Sequence, residues 1–455
     1  MVLTIVLGLI GLGLVIFIHE AGHFAAARLA GIEVESFALG WGRKLVSYRG
    51  KTTEYRLNIF PIGGYCRMKG EEDFKTAIEQ KLDRFPASEG SLFSVGPFKR
   101  FLTYLAGPVA NMVFAVVLFT LIALIGFQYA SYPNTIVLAS DYPNIYGQDA
   151  HDSPADRAGL HTGDRILEVN GQKVDNFLEI QEALMPRAEK ETSITFERDG
   201  ETGEVSLIPE LNEATGAGVI GISAWIEPVI DSIPEGSVLK GTELQPGDRI
   251  LSYDGKEITH LLDLVSALYA DEDRRSEIVI ERDGELLEIR TALEISEQGE
   301  PMFNAAFASA LFETPDYTIP EALAEGFRET FSQISLGIRS ISLLFSGLDA
   351  RQAMAGPVKI TYLLGDTAAQ GFAQGLRTGI VTLMQLLAFV SVALGFANLL
   401  PIPALDGGQM AVSVYEMISR KPLKPALYYR LQIIGFSILF TILIFTVFWD
   451  IRSFF

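Results

Sequence analysis

Four stretches of this chain stay apolar for long enough to cross a lipid bilayer, and this limits its possible folds more than any other feature. They run roughly from Val2 to Ala27, Phe101 to Tyr129, Thr378 to Leu400 and Leu431 to Trp449. Each is close to or above the ~20 residues that a spanning helix requires. Lipid offers no hydrogen bonds to a backbone, so such segments are expected to be helices that satisfy themselves. The alternative is a set of helices buried in one large soluble core. The first stretch is not expected to be a cleaved leader, because no Lys or Arg precedes it and polar residues lie inside its apolar run. With 49% hydrophobic residues, the chain is too apolar to be disordered.

Charge is divided unevenly between these stretches. The 455 residues carry a formal charge of −20, which argues against nucleic acid as a partner. From Gln128 to Glu329 there are 14 basic and 41 acidic residues, a net −27 that leaves +7 on the remainder. Ala26–Arg100 alone holds 13 Lys and Arg. The positive-inside bias assigns that segment to the cytoplasm. Four spans then put the acidic region outside and the short Pro401–Arg430 segment, with Arg420, Lys421, Lys424 and Arg430, back inside. The single cysteine, Cys66, excludes an internal disulfide framework and a multi-cysteine metal site, and reads as a small apolar filler.

The acidic region repeats itself. Gly163-Asp164-Arg165-Ile166-Leu167 matches Gly247-Asp248-Arg249-Ile250-Leu251, and Glu197-Arg198-Asp199-Gly200-Glu201 matches Glu281-Arg282-Asp283-Gly284-Glu285, always 84 residues apart. This predicts two copies of one small domain. Each copy reads as a strand, an Asn-Gly or Asp-Gly turn, a helix, and a hairpin around Asp-Gly. The run Ser153–Gly171 resembles the PDZ domain. PDZ domains take an extended peptide as an added strand, so each copy is expected either to capture peptides or to act as a steric gate.

The first apolar stretch contains His19-Glu20-Ala21-Gly22-His23. On a helix His19 and His23 share one face, spaced to ligate one zinc ion, with Glu20 beside it to accept a proton from water. The plain alternative is a polar helix end, yet two of only five histidines fall here, within a span where ionisable groups are costly. A zinc hydrolase also needs a third protein ligand from the same side of the membrane. Asp406, in Asn398-Leu-Leu-Pro-Ile-Pro-Ala-Leu-Asp-Gly-Gly408, is the best placed, although an Asp-Gly pair can equally be an ordinary turn. His151, His161 and His260 have no ligand spacing and read as surface residues.

A membrane-embedded H-E-x-x-H, the Asn398…Asp406-Gly407 segment, Gly107-Pro108-Val109-Ala110-Asn111 in the second span, and an outer PDZ pair together resemble the site-2 protease family of intramembrane zinc metalloproteases. The likeness covers essentially the whole chain and is greatest to the sigma-E-regulating bacterial branch. It implies Zn2+ held by His19, His23 and Asp406, Glu20 as catalytic base, and Asn398 holding substrate backbone. It also implies a membrane-dipping β-loop in Tyr55–Met68. That segment reads as a hairpin turning near Pro61–Gly64, with Gly63 and Gly64 against the substrate; the alternative is a surface hairpin with no such role. Gly107-Pro108 reads as a site of close packing or a kink.

The fold expected is a polytopic α-helical membrane protein with four spans, a membrane-associated β-hairpin and two tandem PDZ-like α/β domains. The expected boundaries are a first span with the metal motif (1–27), a cytoplasmic-side hairpin region (28–100), a second span (101–129) and two repeat domains (130–222 and 223–310). An amphipathic helical region (311–377), a third span (378–400), a cytoplasmic loop carrying Asp406 (401–430) and a fourth span (431–449) follow. In the amphipathic region Leu323, Phe327, Phe331, Ile334, Ile338, Ile341 and Phe345 recur at helical spacing, suited to the outer membrane surface or to packing under the repeats.

The resemblance implies an inner-membrane protease with periplasmic PDZ domains and an active site toward the cytoplasm. Its implied substrates are single-span membrane proteins, such as an anti-sigma factor already trimmed outside, and remnant signal peptides. The competing reading is a non-enzymatic PDZ scaffold, which would have no use for a zinc triad. A transporter is disfavoured by the absence of any duplicated span.

Overall fold

The computed structural model describes residues 2–70, 73–147, 152–212, 216–234, 237, 239, 242–270, 275–292, 303–345 and 357–453. The chain forms two compact units, Met1–Phe127 with Thr314–Phe455, and Gln128–Glu313. His151 lies outside the described residues.

The first unit holds helices α1 (Val2–Ala30), α2 (Pro97–Ile125), α3 (Ile319–Phe345), α4 (Pro357–Ala373), α5 (Leu376–Leu399), α6 (Asp406–Ser419) and α7 (Pro425–Ser453). Four of them, α1, α2, α5 and α7, are long and apolar enough to cross a membrane. Helix α1 is apolar on all sides, yet its faces differ. Gly11, Val15, His19, His23 and Ala27, four apart, form a buried stripe, while Val6, Ile10, Leu14 and Phe17 are exposed. Small residues let neighbours close on α1. A Cβ on Gly22 would lie 2.3 Å from the Ala106 carbonyl oxygen of α2, and one on Gly8 would strike the Thr361 carbonyl of α4. The second apolar segment starts at Pro97, a residue suited to a first helical turn, and ends at Gly126 in a positive-φ cap. It is therefore shorter at its C-terminal end than the hydropathy run, and Gln128–Ser131 form a strand of the second unit.

Two expectations need correction here. The 401–430 segment is not a loop, because Asp406 opens the 14-residue α6 and α7 already begins at Pro425. The hairpin does not turn at Pro61–Gly64. Its strands are β1 (Val34–Arg49) and β2 (Glu54–Met68), joined at 50–53, and Pro61–Gly64 lie inside β2. Both strands bend, so Ser36–Leu39 pair twice, with Gly64–Arg67 on one side and Glu54–Leu57 on the other. Glycines at the bend remove side chains where β1 and β2 close, since a Cβ on Gly40 would lie 2.4 Å from the Phe60 carbonyl oxygen. The region expected to be amphipathic does form a helix, α3, and most of the described residues of its apolar stripe are exposed, while Ile334 packs against the core. Ala322, Gly326 and Thr330 face inward, Gly326 against Val116 and Thr120 of α2, while Leu323, Phe327, Phe331 and Ile338 are exposed.

The second unit contains the two repeat copies. Strands Arg165–Val169, Gln172–Lys173, Thr192–Arg198 and Glu201–Leu207 form one four-stranded antiparallel sheet, and Arg249–Tyr253, Lys256–Glu257, Arg275–Arg282 and Glu285–Ala292 form the other in the same order. Each copy has its own core. Ile166, Val169, Ile180, Leu184, Ile194 and Phe196 are buried in the first, and their partners 84 residues on, Ile250, Tyr253, Leu264, Leu268, Ile278 and Ile280, in the second. A buried carboxylate is neutralised identically in both. Arg198 Nε lies 2.7 Å from Asp164, and Arg282 Nε 2.6 Å from Asp248. Asn170 (φ 52°) with Gly171 and Asp254 (φ 48°) with Gly255 make the same positive-φ turn. Ile222–Ala224 pairs with Ile136–Leu138, so the first copy extends through Ala224. His161 is exposed, but His260 is not the surface residue its sequence context indicates. It is 2% exposed, 3.1 Å from Tyr142 Oη, with its ring against Trp225.

Candidate metal centre

The buried stripe of α1 carries His19 and His23 to one point against α2. Their Nε2 atoms lie 3.2 Å apart. Asp406 Oδ2 lies 3.0 Å from His19 Nε2 and 3.2 Å from His23 Nε2. Among the described residues these three form the one cluster of metal-ligand type. A tetrahedral ion with bonds near 2.0–2.1 Å spaces its ligand atoms roughly 3.3 Å apart, close to this triangle. Two imidazole nitrogens and one carboxylate oxygen suit zinc and leave one position for water or substrate.

The sequence builds each corner. The Nδ1 of His23 donates to the Thr103 carbonyl oxygen at 2.8 Å, which leaves the Nε2 lone pair for the centre. Gly107 is needed beside it, because a Cβ there would lie 2.4 Å from His23 Nε2 and 2.9 Å from His19 Nε2. Asp406 arrives through a tight chain path. Pro401 and Pro403 cannot continue α5, Ala404 takes φ 82°, and α6 starts at once. Gly407 and Gly408 permit this path, since a Cβ on either would strike the carbonyls of Leu399, Leu400 or Ile402. The far end of α6 is tied down by the buried Arg100–Glu416 ion pair to α2, and Glu416 also accepts the Leu423 N–H at 2.8 Å.

Glu20 sits beside the triangle, with His23, His19 and Asp406 as its ionisable neighbours, and accepts the backbone N–H of Cys66. This brings β2 to the centre. A Cβ on Gly64 would lie 3.4 Å from Glu20 Cγ. Gly63 has another task, since its φ is 87° and any Cβ would meet the Trp41 indole at 2.3 Å. Asn398, in the last turn of α5, donates to Leu394 O at 3.0 Å, and no described hydrogen bond joins it to the triangle. Asn111 of α2 does reach it, with Nδ2 3.4 Å from His19 Nδ1. The sequence offered the Gly107–Asn111 run only as part of the family resemblance, and Gly107-Pro108 as a site of close packing or a kink. Neither reading showed that both ends of the run touch the histidines.

The chain is similar to known proteins along nearly its full length. A "Putative zinc metalloprotease" of Treponema pallidum is 34% identical over 450 residues, covering 98% of each chain. Proteins of the same description from Borreliella burgdorferi and Thermotoga maritima are 27% and 26% identical, each alignment covering at least 96% of both chains. The profile of peptidase family M50 matches residues 7–442, a range that includes the histidine pair, Glu20, both repeat copies and Asp406. The chain is therefore a multi-pass membrane member of peptidase family M50.

Proposed function

We propose that this chain is a zinc-dependent intramembrane endopeptidase that cleaves single-span membrane proteins. The observation carrying this reading is the convergence of His19 and His23, beside Glu20 on a helix apolar enough to cross a membrane, with Asp406 at the start of α6. His19, His23 and Asp406 would hold the ion. Bound zinc supplies Lewis acidity, polarising the scissile carbonyl and acidifying water. Glu20 takes the proton of the attacking water as its oxygen bonds to the carbonyl carbon, then delivers it to the departing amide nitrogen as the C–N bond breaks.

A peptide bond in a membrane helix is shielded by its own hydrogen bonds, so the substrate must first be extended. Gly64–Met68 of β2 suits this task, because it pairs with β1 on one side and hands the Cys66 N–H to Glu20. Added as a further strand, the substrate would lie against Gly64, with Asn398 holding its backbone. Trp41, Leu45, Val46, Tyr48 and Phe60 on the same hairpin are exposed and apolar, as a membrane-dipping loop requires. The two repeat copies act as PDZ-like domains that capture or gate substrates. The basic segments flanking the spans support a periplasmic location for these copies and a metal centre toward the cytoplasmic face of the inner membrane. The physiological role is regulated intramembrane proteolysis of an anti-sigma factor already trimmed outside, as in an envelope stress response, together with clearance of remnant signal peptides.

Full-length protein in liposomes, given a tagged single-span substrate, tests the reading. Wild type is expected to cleave it, whereas Glu20→Gln retains zinc and does not. Cleavage by Glu20→Gln at the wild-type rate would overturn the assignment.

A further inference from the structure

We propose that Asn111 is a positioning residue that fixes the tautomer of His19 so that Nε2, and not Nδ1, faces the metal. The inference rests on the metal reading above and concerns what makes that ligand competent. A neutral imidazole carries one proton, and the nitrogen that ligates must be the other one. For His23 the choice is made by the Thr103 carbonyl, which only an N–H at Nδ1 can satisfy. His19 faces the same requirement, since its Nε2 points into the triangle 3.0 Å from Asp406 Oδ2. Its Nδ1 must therefore hold the proton and give it to an acceptor.

The group in front of that Nδ1 is the Asn111 amide, fully buried on α2. Its Nδ2 faces the ring at 3.4 Å, while its Oδ1 is buried without a partner. An acceptor buried without a partner is costly and calls for an explanation. The two ends of an amide have nearly the same shape and are assigned by their hydrogen bonds. Half a turn about the last side-chain bond brings Oδ1 to Nδ1, where it accepts the His19 proton. The amide can thus serve either tautomer. With Nδ2 toward the ring, it matches a His19 that donates from Nε2 to Asp406; with Oδ1 toward the ring, it matches a His19 whose Nε2 lone pair is free. The backbone cannot drift from this position, because the Asn111 carbonyl accepts Ser391 Oγ at 3.0 Å and Gly395 packs against its Cβ.

Zinc affinity of the full-length protein in detergent, measured by competition with a chelator, tests this without reference to cleavage. Asn111→Leu keeps the volume and removes the acceptor, so zinc should bind about 10- to 100-fold more weakly, the usual cost of losing such a partner. Asn111→Asp restores an acceptor and should recover most of the loss, a rescue that a purely structural role would not produce. Should Asn111→Leu fail to fold, Asn111→Ser, with a hydroxyl too short to reach the ring, should show the same weakening. Wild-type affinity in the Leu or Ser variant, or an Asp variant as weak as Leu, would overturn the inference while leaving the metal site intact. A wild-type protein that takes up no zinc would instead overturn the metal reading, and this inference with it.

Discussion

Replacing Gly107 with alanine separates the needs of the fold from those of the metal. In a helix interior this change ordinarily helps, by about 0.5–1 kcal/mol, because glycine surrenders more backbone freedom on folding. Gly107 has no positive φ that would forbid a side chain. Its added Cβ, however, would lie 2.4 Å from His23 Nε2 and 2.9 Å from His19 Nε2. Comfortable contacts begin near 3.5 Å, so the His23 ring must retreat by about 1 Å. Metal–ligand bonds tolerate displacements of only about 0.2 Å. The variant should therefore express and unfold like wild type, yet bind zinc more than ~100-fold more weakly, beyond the cost of losing an outer-shell partner. Zinc per chain, chelator competition and cleavage of a single-span substrate measure this. Stoichiometric zinc at wild-type affinity in Gly107→Ala would refute the reasoning, because the ring contacts that define the site would then be wrong.

Two further outcomes probe other parts of the molecule. Gly64→Val would place a branched side chain where a Cβ alone sits 3.4 Å from Glu20 Cγ. Cleavage should fall on the order of 10²-fold, the scale of a displaced general base, with zinc retained; an unchanged rate would detach β2 from the chemistry. In the repeat unit, burial holds His260 below its ordinary pKa, so the unfolded chain binds that proton more readily than the folded one. Its contribution is complete above about pH 6.5 and is lost as pH falls below that value. His260→Phe should flatten the decline in thermal stability of the full-length protein between pH 7.5 and 5.5, and identical slopes in both proteins would contradict this.

What could be read in advance followed the physics that acts locally. Bilayer thickness demands long apolar runs, so the spans announced themselves. A helix places i and i+4 on one face, so His19 and His23 were legible as a pair. The repeat was visible because Gly163–Leu167 and Gly247–Leu251 are identical in sequence. Long-range features were hidden. Pro401 and Pro403 make the segment look like a loop, and only tertiary packing shows that Asp406 immediately opens a helix. The glycines at 63 and 64 imitate a hairpin turn, yet they serve Trp41 and Glu20, while the turn itself falls at 50–53. Asn111 meets a histidine 92 residues away, and His260 a tyrosine 118 residues away, separations across which spacing carries no signal. On α3 the conspicuous stripe was apolar, but the face that packs on α2 is the small one, Ala322, Gly326 and Thr330.

One zinc ion is expected to be held by two imidazoles and one carboxylate inside the membrane unit. Zinc K-edge X-ray absorption of the purified full-length protein addresses this directly. The prediction is a four-coordinate shell of two imidazole nitrogens and two oxygens at about 2.0–2.1 Å, reduced to a single imidazole in His23→Ala. A sulfur ligand at about 2.3 Å, which could come only from Cys66 or a methionine, or a shell unchanged by His23→Ala, would contradict it.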